Sequence, residues 1–171
     1  KSTISRDMFL GVFFYAWTFK EAQLVNDIWA YGNANNWVMG EGNITDMYFN
    51  PSFRGLLAKL RHKLTGREAL IEYIPGVYST APGYKSHLTM LSILLRAKIG
   101  DGSISSRELG HLRTIKNKNP ENALAAALVA RFTNGDYTRA SELLKQQFPA
   151  DRLPTSADFC DEWRTNRKDG D

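Results

Sequence analysis

Apolar residues recur at three- and four-residue steps along most of the chain, a spacing typical of amphipathic helices. Between Arg6 and Tyr31 this pattern predicts one helix of six to seven turns with Glu21 on its apolar stripe. The stripe consists of Leu10, Phe14, Trp17, Leu24, Ile28 and Tyr31. The apolar run from Met8 to Trp17 continues into charged residues on the same period, without a small-residue cleavage site. We therefore interpret it as a core helix and not as a signal peptide or a membrane span.

Start and stop signals define the next helix. Asn50 can cap its first turn, and Pro51 suits the first helical position. Gly66 is expected to end it, because glycine adopts the left-handed conformation that follows many helices. A short helix over 67–74 and a longer one from Tyr84 to Ile99 follow.

Further helix start signals occur in the second half of the chain. Ser105 and Glu108 have the spacing of a capping box, in which each side chain accepts a hydrogen bond from the other residue's backbone amide. Asn119-Pro120 predicts the start of the next helix, and Asp136 the start of its partner. A 35-residue offset relates parts of this half, which predicts two stacked helical hairpins over 84–148.

No segment shows the alternation of a strand, so the predicted fold class is all-α, built from stacked antiparallel helical hairpins. We expect one helical domain over 1–171. It comprises N-terminal helices in 1–75 with a long loop at 31–50, the hairpins in 84–148 and a tail helix in 149–171.

Composition narrows the function classes. With 171 residues and 43% hydrophobic residues, the chain is globular. Its net charge of +4 is mild, and the basic residues form no groove-like pattern, so we expect no nucleic-acid partner. The single Cys160 can form no disulfide within the chain, and its partner stays open. Because the chain begins with Lys1 and no Met, it resembles a mature or trimmed form, and the compartment stays open.

The usual cofactor and metal motifs are missing from the sequence. Gly40-Glu41-Gly42 lacks the lysine and hydroxyl residue of a phosphate loop. The segment from Asp101 to Glu108 imitates the end of a calcium loop, but Ala97 and Ile99 would occupy ligand positions and cannot coordinate. We predict no metal site and no cofactor. The three histidines accompany no nucleophile motif, so a hydrolytic triad has no support.

The 31–50 loop is the strongest candidate for a functional site, because a connection of this length is uncommon in a compact domain unless it binds something or is disordered. Its aromatic residues argue against disorder. Glu41, between two glycines, can approach a ligand closely, and the helix-initial Asp7 is the second candidate carboxylate. The predicted ligand-binding residues are Trp37, Asn36, Asn43, Asp46 and Tyr48. The competing interpretation is that asparagine and glycine are ordinary loop residues and that the aromatics anchor the loop.

Residues 5–42 resemble a helix and inter-helix loop of the (α/α)-toroid carbohydrate-active proteins. The resemblance lies in Ser5-Arg-Asp-Met-Phe-Leu-Gly11, the aromatic helix and Asn36-Trp-Val-Met-Gly-Glu-Gly42. It implies a sugar cleft lined by acidic residues at helix starts and in loops. A complete toroid needs about twice this many residues, given helices of about 11–12 residues and their connections. The expected arrangement is a partial toroid.

Residues 120–148 resemble a tetratricopeptide-type helical hairpin, with small residues where the helices meet and Gly135-Asp136-Tyr137 at the turn. This resemblance implies a TPR-like solenoid that grips a protein or peptide partner. Two binding functions therefore stay open, beside a third possibility, a structural or regulatory subunit whose 31–50 loop only packs. The leading one is a domain that binds an oligosaccharide or polysaccharide at the 31–50 loop, with cleavage undecided. In that case Glu41 and Asp7 would act as general acid and as base or nucleophile. The alternative is a TPR-like interaction scaffold without catalytic activity.

Overall fold

The computed structural model describes residues 5–40, 46–67, 80, 83–133 and 135–147. Of these residues 74% are helical, in seven helices beside one two-stranded sheet. The all-α prediction is confirmed at this level, whereas the toroidal or TPR-like arrangement stays a prediction. The predicted tail helix at 149–171, and nearly all of the one at 67–74, lie outside the described residues.

The chain separates into two compact units. The N-terminal unit comprises Lys1–Ser79 and His87–Ile104, and the C-terminal unit comprises Thr80–Ser86 and Ser105–Asp171. The elements in chain order are α1 Arg6–Phe19, α2 Ala22–Ala34, β1 Val38–Gly40, β2 Met47–Tyr48, α3 Pro51–Thr65, α4 Tyr84–Ile99, α5 Ser106–Lys118, α6 Ala123–Phe132 and α7 Thr138–Gln147.

The prediction of one helix from Arg6 to Tyr31 is wrong, because the helix breaks at Lys20. Lys20 adopts the left-handed conformation with φ 59° and caps α1, its backbone amide donating to the Ala16 carbonyl. No glycine or proline lies at the break. Instead, the Lys20 ammonium lies 3.7 Å from the centroid of the Trp17 ring, a cation–π contact that helps to offset the strained backbone. Glu21 consequently lies at the start of α2, partly exposed, and not within a continuous stripe.

The break also changes which residues are buried. In α1 the fully buried side chains are Leu10, Phe13 and Ala16, while Phe14 and Trp17 of the predicted stripe pack against the core from its edge. Tyr31, the last residue of that stripe, is exposed. The N-terminal core joins residues of α1, α2, the sheet, α3 and α4. Its large buried members include Phe13, Phe49, Phe53, Leu57, Leu60, Leu88 and Leu95.

Aromatic contacts connect the elements of this core. The Phe49 ring stands edge-on to Phe9 of α1, with centroids 4.8 Å apart, and to Phe13, with centroids 5.8 Å apart. It also lies 5.2 Å from Phe53 of α3. Such edge-to-face geometry is favoured by the ring quadrupoles and adds to the burial of apolar area.

Helix α3 has the predicted ends. The Asn50 side chain accepts a hydrogen bond from the Phe53 amide, Pro51 occupies the first turn, and Gly66 caps the C-terminus with φ 70°. These signals satisfy backbone groups that a helix end leaves unpaired. The sequence was sufficient here because every signal acts within four residues.

The C-terminal unit contains three consecutive helices. The predicted capping box is confirmed, with Ser105 and Glu108 satisfying each other's amides at the start of α5. The predicted start at Asn119-Pro120 is wrong: Asn119 caps the end of α5, and Asn122 caps α6 by accepting a 2.9 Å hydrogen bond from the Ala125 amide. The proline belongs to the turn between the helices.

Helix α6 packs against both α5 and α7. A small cluster of Ala123, Ala126, Ala140 and Leu143 joins α6 to α7. The Gln147 amide at the end of α7 donates to the Glu121 carbonyl just before α6, at 3.1 Å, so the two helices run antiparallel. The alanine contacts allow the backbones to approach closely, because their side chains extend no further than Cβ.

Candidate functional site

The loop that sequence analysis selected contains a short β-hairpin, although no strand was expected there. Strands β1 and β2 pair antiparallel, with Val38 opposite Tyr48 and Gly40 opposite Met47, and the register is irregular between Val38 and Gly40. The pairing is too short to show the alternation that identifies a strand in a sequence. Side chains on neighbouring strand positions point to opposite faces, so the hairpin has an inner and an outer face.

The inner face is held by buried aromatic and apolar side chains. Trp37 is 9% exposed, Met39 5% and Phe49 0%. The Trp37 ring packs edge-on against Trp29 of α2, with centroids 5.1 Å apart. It also lies so close to Gly32 that a Cβ there would come within 2.6 Å of the ring. Trp37 was expected to offer a flat face to a sugar; its burial gives it the role of an anchor, and a direct ligand contact stays only a prediction.

The backbone that leads into the hairpin is unusual. Asn36 and Trp37 both have positive φ, 51° and 65°. Asparagine tolerates this conformation, but a bulky residue there is an outlier that costs about 1–3 kcal/mol and needs support from its surroundings. Support comes from the Trp37 amide, which donates to the Gly32 carbonyl at 2.7 Å, and from the Trp37 carbonyl, which accepts from the Phe49 amide at 3.0 Å.

Arg54 of α3 braces the same hairpin. Its Nε donates to the Phe49 carbonyl at 2.7 Å. Its guanidinium lies 5.1 Å from the centroid of the Trp37 ring. One arginine thus connects α3 to the residue before β1 and to the residue after β2, and contacts from α1, α2 and α3 together hold the inner face.

The outer face contains Val38, which is partly buried, and the more exposed Tyr48. Tyr48 is 48% exposed and faces the same side as its cross-strand partner Val38. Asn36 and Asp46 are exposed on the two chain segments that lead into the strands. The structure therefore brings three of the predicted ligand-binding residues, Asn36, Asp46 and Tyr48, to one anchored hairpin, and sets Trp37 behind them.

Asp7 lies in the first turn of α1, where its carboxylate accepts a hydrogen bond from the Ser5 hydroxyl. A carboxylate at this end of a helix is favoured by the helix dipole. Two residues later, Phe9 contacts Phe49, the residue after Tyr48. The start of α1 thus packs at the base of the hairpin, in the same unit as the other candidates.

The remaining predicted residues fall outside the described part of the chain. Glu41 and Asn43 belong to the segment 41–45 that connects β1 to β2 in the sequence. Their proposed roles stay predictions, as does the partner of Cys160.

Sequence reasoning missed a second aromatic surface in the N-terminal unit. Tyr15 is 49% exposed and Phe19 is 64% exposed, and their ring centroids lie 4.8 Å apart on α1. The predicted apolar stripe ran through Phe14 and Trp17, so Tyr15 and Phe19 were not expected to form a surface of their own. This pair is a second exposed aromatic surface, so experiments on ligand binding by the hairpin need a control variant at Tyr15.

The described residues were also compared with the requirements of a metal site and of a membrane span. No group of three or more His, Cys, Asp or Glu side chains in that part of the chain is placed to hold a metal ion. None of the helices in the described ranges combines the length and apolar character needed to cross a membrane. Comparisons with protein-family models, with curated proteins and with solved structures find no match to this chain.

Proposed function

We propose that the N-terminal unit binds an oligosaccharide or polysaccharide on the outer face of the β1–β2 hairpin. The observation that carries this proposal is the half-exposed Tyr48 ring on a hairpin whose other face is anchored, with Asn36 and Asp46 exposed on the segments that lead into the two strands. A phenol ring presents a flat apolar face to the C–H groups of a sugar. Amide and carboxylate groups nearby can bond its hydroxyls.

Anchoring bears directly on affinity. A loop that becomes ordered on binding spends part of the interaction energy on that ordering. Here the burial of Trp37 and Phe49, and the Arg54 hydrogen bond, hold the strands before any ligand arrives. The strained conformation at Asn36 and Trp37 is consistent with a preorganised site, because such strain concentrates at binding sites.

Cleavage is the further part of the proposal. Glycoside hydrolysis needs two carboxyl groups, about 5–5.5 Å apart for retention of configuration and about 6.5–9.5 Å apart for inversion. Glu41 and Asp7 are the candidates for general acid and for base or nucleophile. Asp7 belongs to the same unit as the hairpin, and Phe9, two residues later, packs on Phe49. The placement of Glu41 relative to Asp7 is itself part of the proposal.

Binding is tested first by a glycan array on the wild-type chain, followed by calorimetry with a ligand that it retains. Tyr48→Ala should weaken that ligand by about tenfold or more, since stacking and anchor contacts of this kind are worth 1.4 kcal/mol or more. Tyr137→Ala is the matched control, because Tyr137 is 46% exposed but belongs to the C-terminal unit. A glycan that binds Tyr48→Ala as tightly as wild type, but loses affinity for Tyr15→Ala, would move the site to α1.

Catalysis needs a separate assay. Glu41→Gln should keep binding and abolish product release, because the amide preserves shape and hydrogen bonding but transfers no proton. Asp27→Asn is the control carboxylate, because Asp27 is exposed on α2 outside the proposed site, and this variant should retain turnover. If the wild type binds a glycan without ever releasing product, the domain is a binding module and the cleavage part is wrong.

The second candidate function is the TPR-like scaffold. It is favoured by the antiparallel packing of α6 on α7 through alanine contacts, the kind of hairpin that repeat proteins stack. A peptide library displayed against the wild-type chain tests it, with binding that survives Tyr48→Ala as the expected result. No retained peptide would remove this candidate.

A further inference from the structure

The C-terminal unit contains an open cleft of about 240 Å³ whose lining combines small apolar residues with charged ones. Residues of α6 supply the apolar part, and α5, α7 and the turn between α6 and α7 supply the charges. The lining includes Lys116, Ala126, Val129, Ala130, Asp136 and Arg139.

The floor of the cleft is apolar and shallow. Ala126, Val129 and Ala130 are all buried, with short side chains that leave room above them. A cleft of this volume is smaller than the roughly 300–1,000 Å³ of sites for drug-sized ligands. It therefore suits one small aliphatic group.

The charges define what such a group must carry. Lys116 from α5 and Arg139 from α7 both line the cleft, against one carboxylate, Asp136. Arg139 also pairs with Glu142 at 3.6 Å, but both side chains are about half exposed. An exposed pair of this kind contributes little, so Arg139 can turn toward a ligand at small cost.

Asp136 is held in place and ionised. Its Oδ1 accepts a 3.0 Å hydrogen bond from the Thr138 amide at the start of α7. The hydrogen bonds from Thr138, followed by the charge of Lys116, lower the pKa of this carboxyl. The carboxylate thereby keeps acceptor capacity for a ligand N–H group.

We infer that this cleft binds a carboxylate attached to a small aliphatic group, as at the C-terminal residue of a peptide. The carboxylate would lie between Lys116 and Arg139, the aliphatic side chain on Ala126, Val129 and Ala130, and the ligand's amide N–H against Asp136. The inference concerns the C-terminal unit and stands whether or not the hairpin binds a carbohydrate. It gives the scaffold alternative a defined ligand chemistry.

The test compares three probes at equal ionic strength: N-acetyl-Ala-Val with a free carboxylate, its C-terminal amide, and isobutyrate. Binding is followed by shifts of the methyl resonances of Ala126, Val129 and Ala130. The free acid should bind at least about tenfold more tightly than the amide, the usual penalty for losing a charged hydrogen-bond partner. If isobutyrate binds as tightly as the peptide acid, the cleft is a site for a free small carboxylic acid and not for a peptide C-terminus.

Lys116→Gln and Arg139→Gln should each weaken the peptide acid by about tenfold and reduce the salt dependence of binding. Lys145→Gln, on an exposed position of α7 outside the lining, is the control and should change neither. Circular dichroism confirms the fold of each variant. Equal affinity of acid and amide, or methyl shifts that are the same in both cleft variants and wild type, would overturn the inference. Absence of methyl shifts at millimolar acid would overturn it too, while peptide binding elsewhere on the chain would leave the scaffold alternative in place.

Discussion

The two units use different side chains where their secondary-structure elements pack together. In the N-terminal unit the contacts between elements are made by large rings, with Phe49 touching Phe9, Phe13 and Phe53. In the C-terminal unit α6 meets α7 through alanines and Leu143. Large rings bridge the space between elements, so they can hold a hairpin whose strands are short. Small residues instead bring helices together directly.

This difference separates the two candidate sites. The hairpin presents an exposed ring on a support that is itself aromatic, which suits stacking on a sugar. The cleft over α6 exists because short side chains line it, and its charges come from the neighbouring helices and the turn before α7. One unit therefore offers an exposed aromatic ring and the other a small cleft.

The largest effect should follow from Phe49→Ala. This residue is fully buried and contacts three other rings, so its removal should lower the free energy of unfolding by about 3–5 kcal/mol. Denaturant titration measures the change. Because Phe49 follows Tyr48, any glycan affinity should fall with it. A loss under about 1 kcal/mol would show that the aromatic core does not hold the hairpin.

A smaller effect is expected for Gly32→Ala. The added Cβ would lie 2.6 Å from the Trp37 ring, which must then shift, and overpacking of this kind costs about 1–3 kcal/mol. Gly11→Ala is the control, since a Cβ there meets nothing within 4 Å. That change should be neutral or stabilising by up to about 1 kcal/mol, because alanine favours a helix. Equal effects of the two substitutions in thermal melts would contradict the anchor role of Trp37.

In the C-terminal unit, Ser105→Ala removes the cap of α5. The serine hydroxyl accepts from the Glu108 amide and donates to the Glu108 carboxylate, so its loss should cost about 0.5–2 kcal/mol. Ser106→Ala, at the next position, is the control. A cap loss that leaves the unfolding midpoint unchanged would show that α5 is held by packing alone.

The smallest expected effect is on the pH dependence of stability, and it involves one turn in each unit. Hydrogen bonds from Ser103 lower the pKa of Asp101, and those from Thr138 lower the pKa of Asp136. A carboxyl with a lowered folded-state pKa stabilises the fold at pH values above its unfolded pKa, and this contribution is lost as the pH falls through the folded value. Asp101→Asn and Asp136→Asn should each flatten the acid side of the stability curve slightly, with no change in its slope near neutrality. Melting temperatures measured from about pH 2 to pH 6 test this. An unchanged acid side in both variants would contradict it.

Signals that act within a few residues predicted much of the local structure. The ends of α3 and the capping box of α5 agree with the sequence because the groups that bond at each helix end are three or four residues apart in the chain. The break at Lys20 was missed, since no turn residue marks it and its support is a cation–π contact. Strand pairing of Val38 with Tyr48 was missed because it joins positions ten residues apart in the chain.

In the candidate site, too, the sequence could not predict features that depend on contacts between distant residues. Asn36, Asp46 and Tyr48 were chosen by residue type and are exposed on one hairpin. Trp37 was chosen for the same reason, but its burial depends on Gly32, Trp29 and Arg54, which lie on other elements. Residue type can thus suggest the chemistry of a loop, whereas tertiary packing decides which ring faces the solvent.

The most direct test of the central claim is a backbone-amide NMR titration of the wild-type chain with an oligosaccharide that it retains on a glycan array. We expect the largest shifts at residues 36 and 46–48, with little change at Tyr15, Phe19 or in α5–α7. Tyr48→Ala should then suppress those shifts at equal ligand concentration. Shifts concentrated on α1 or in the C-terminal unit, or no saturable shift with any glycan, would contradict carbohydrate binding by the hairpin.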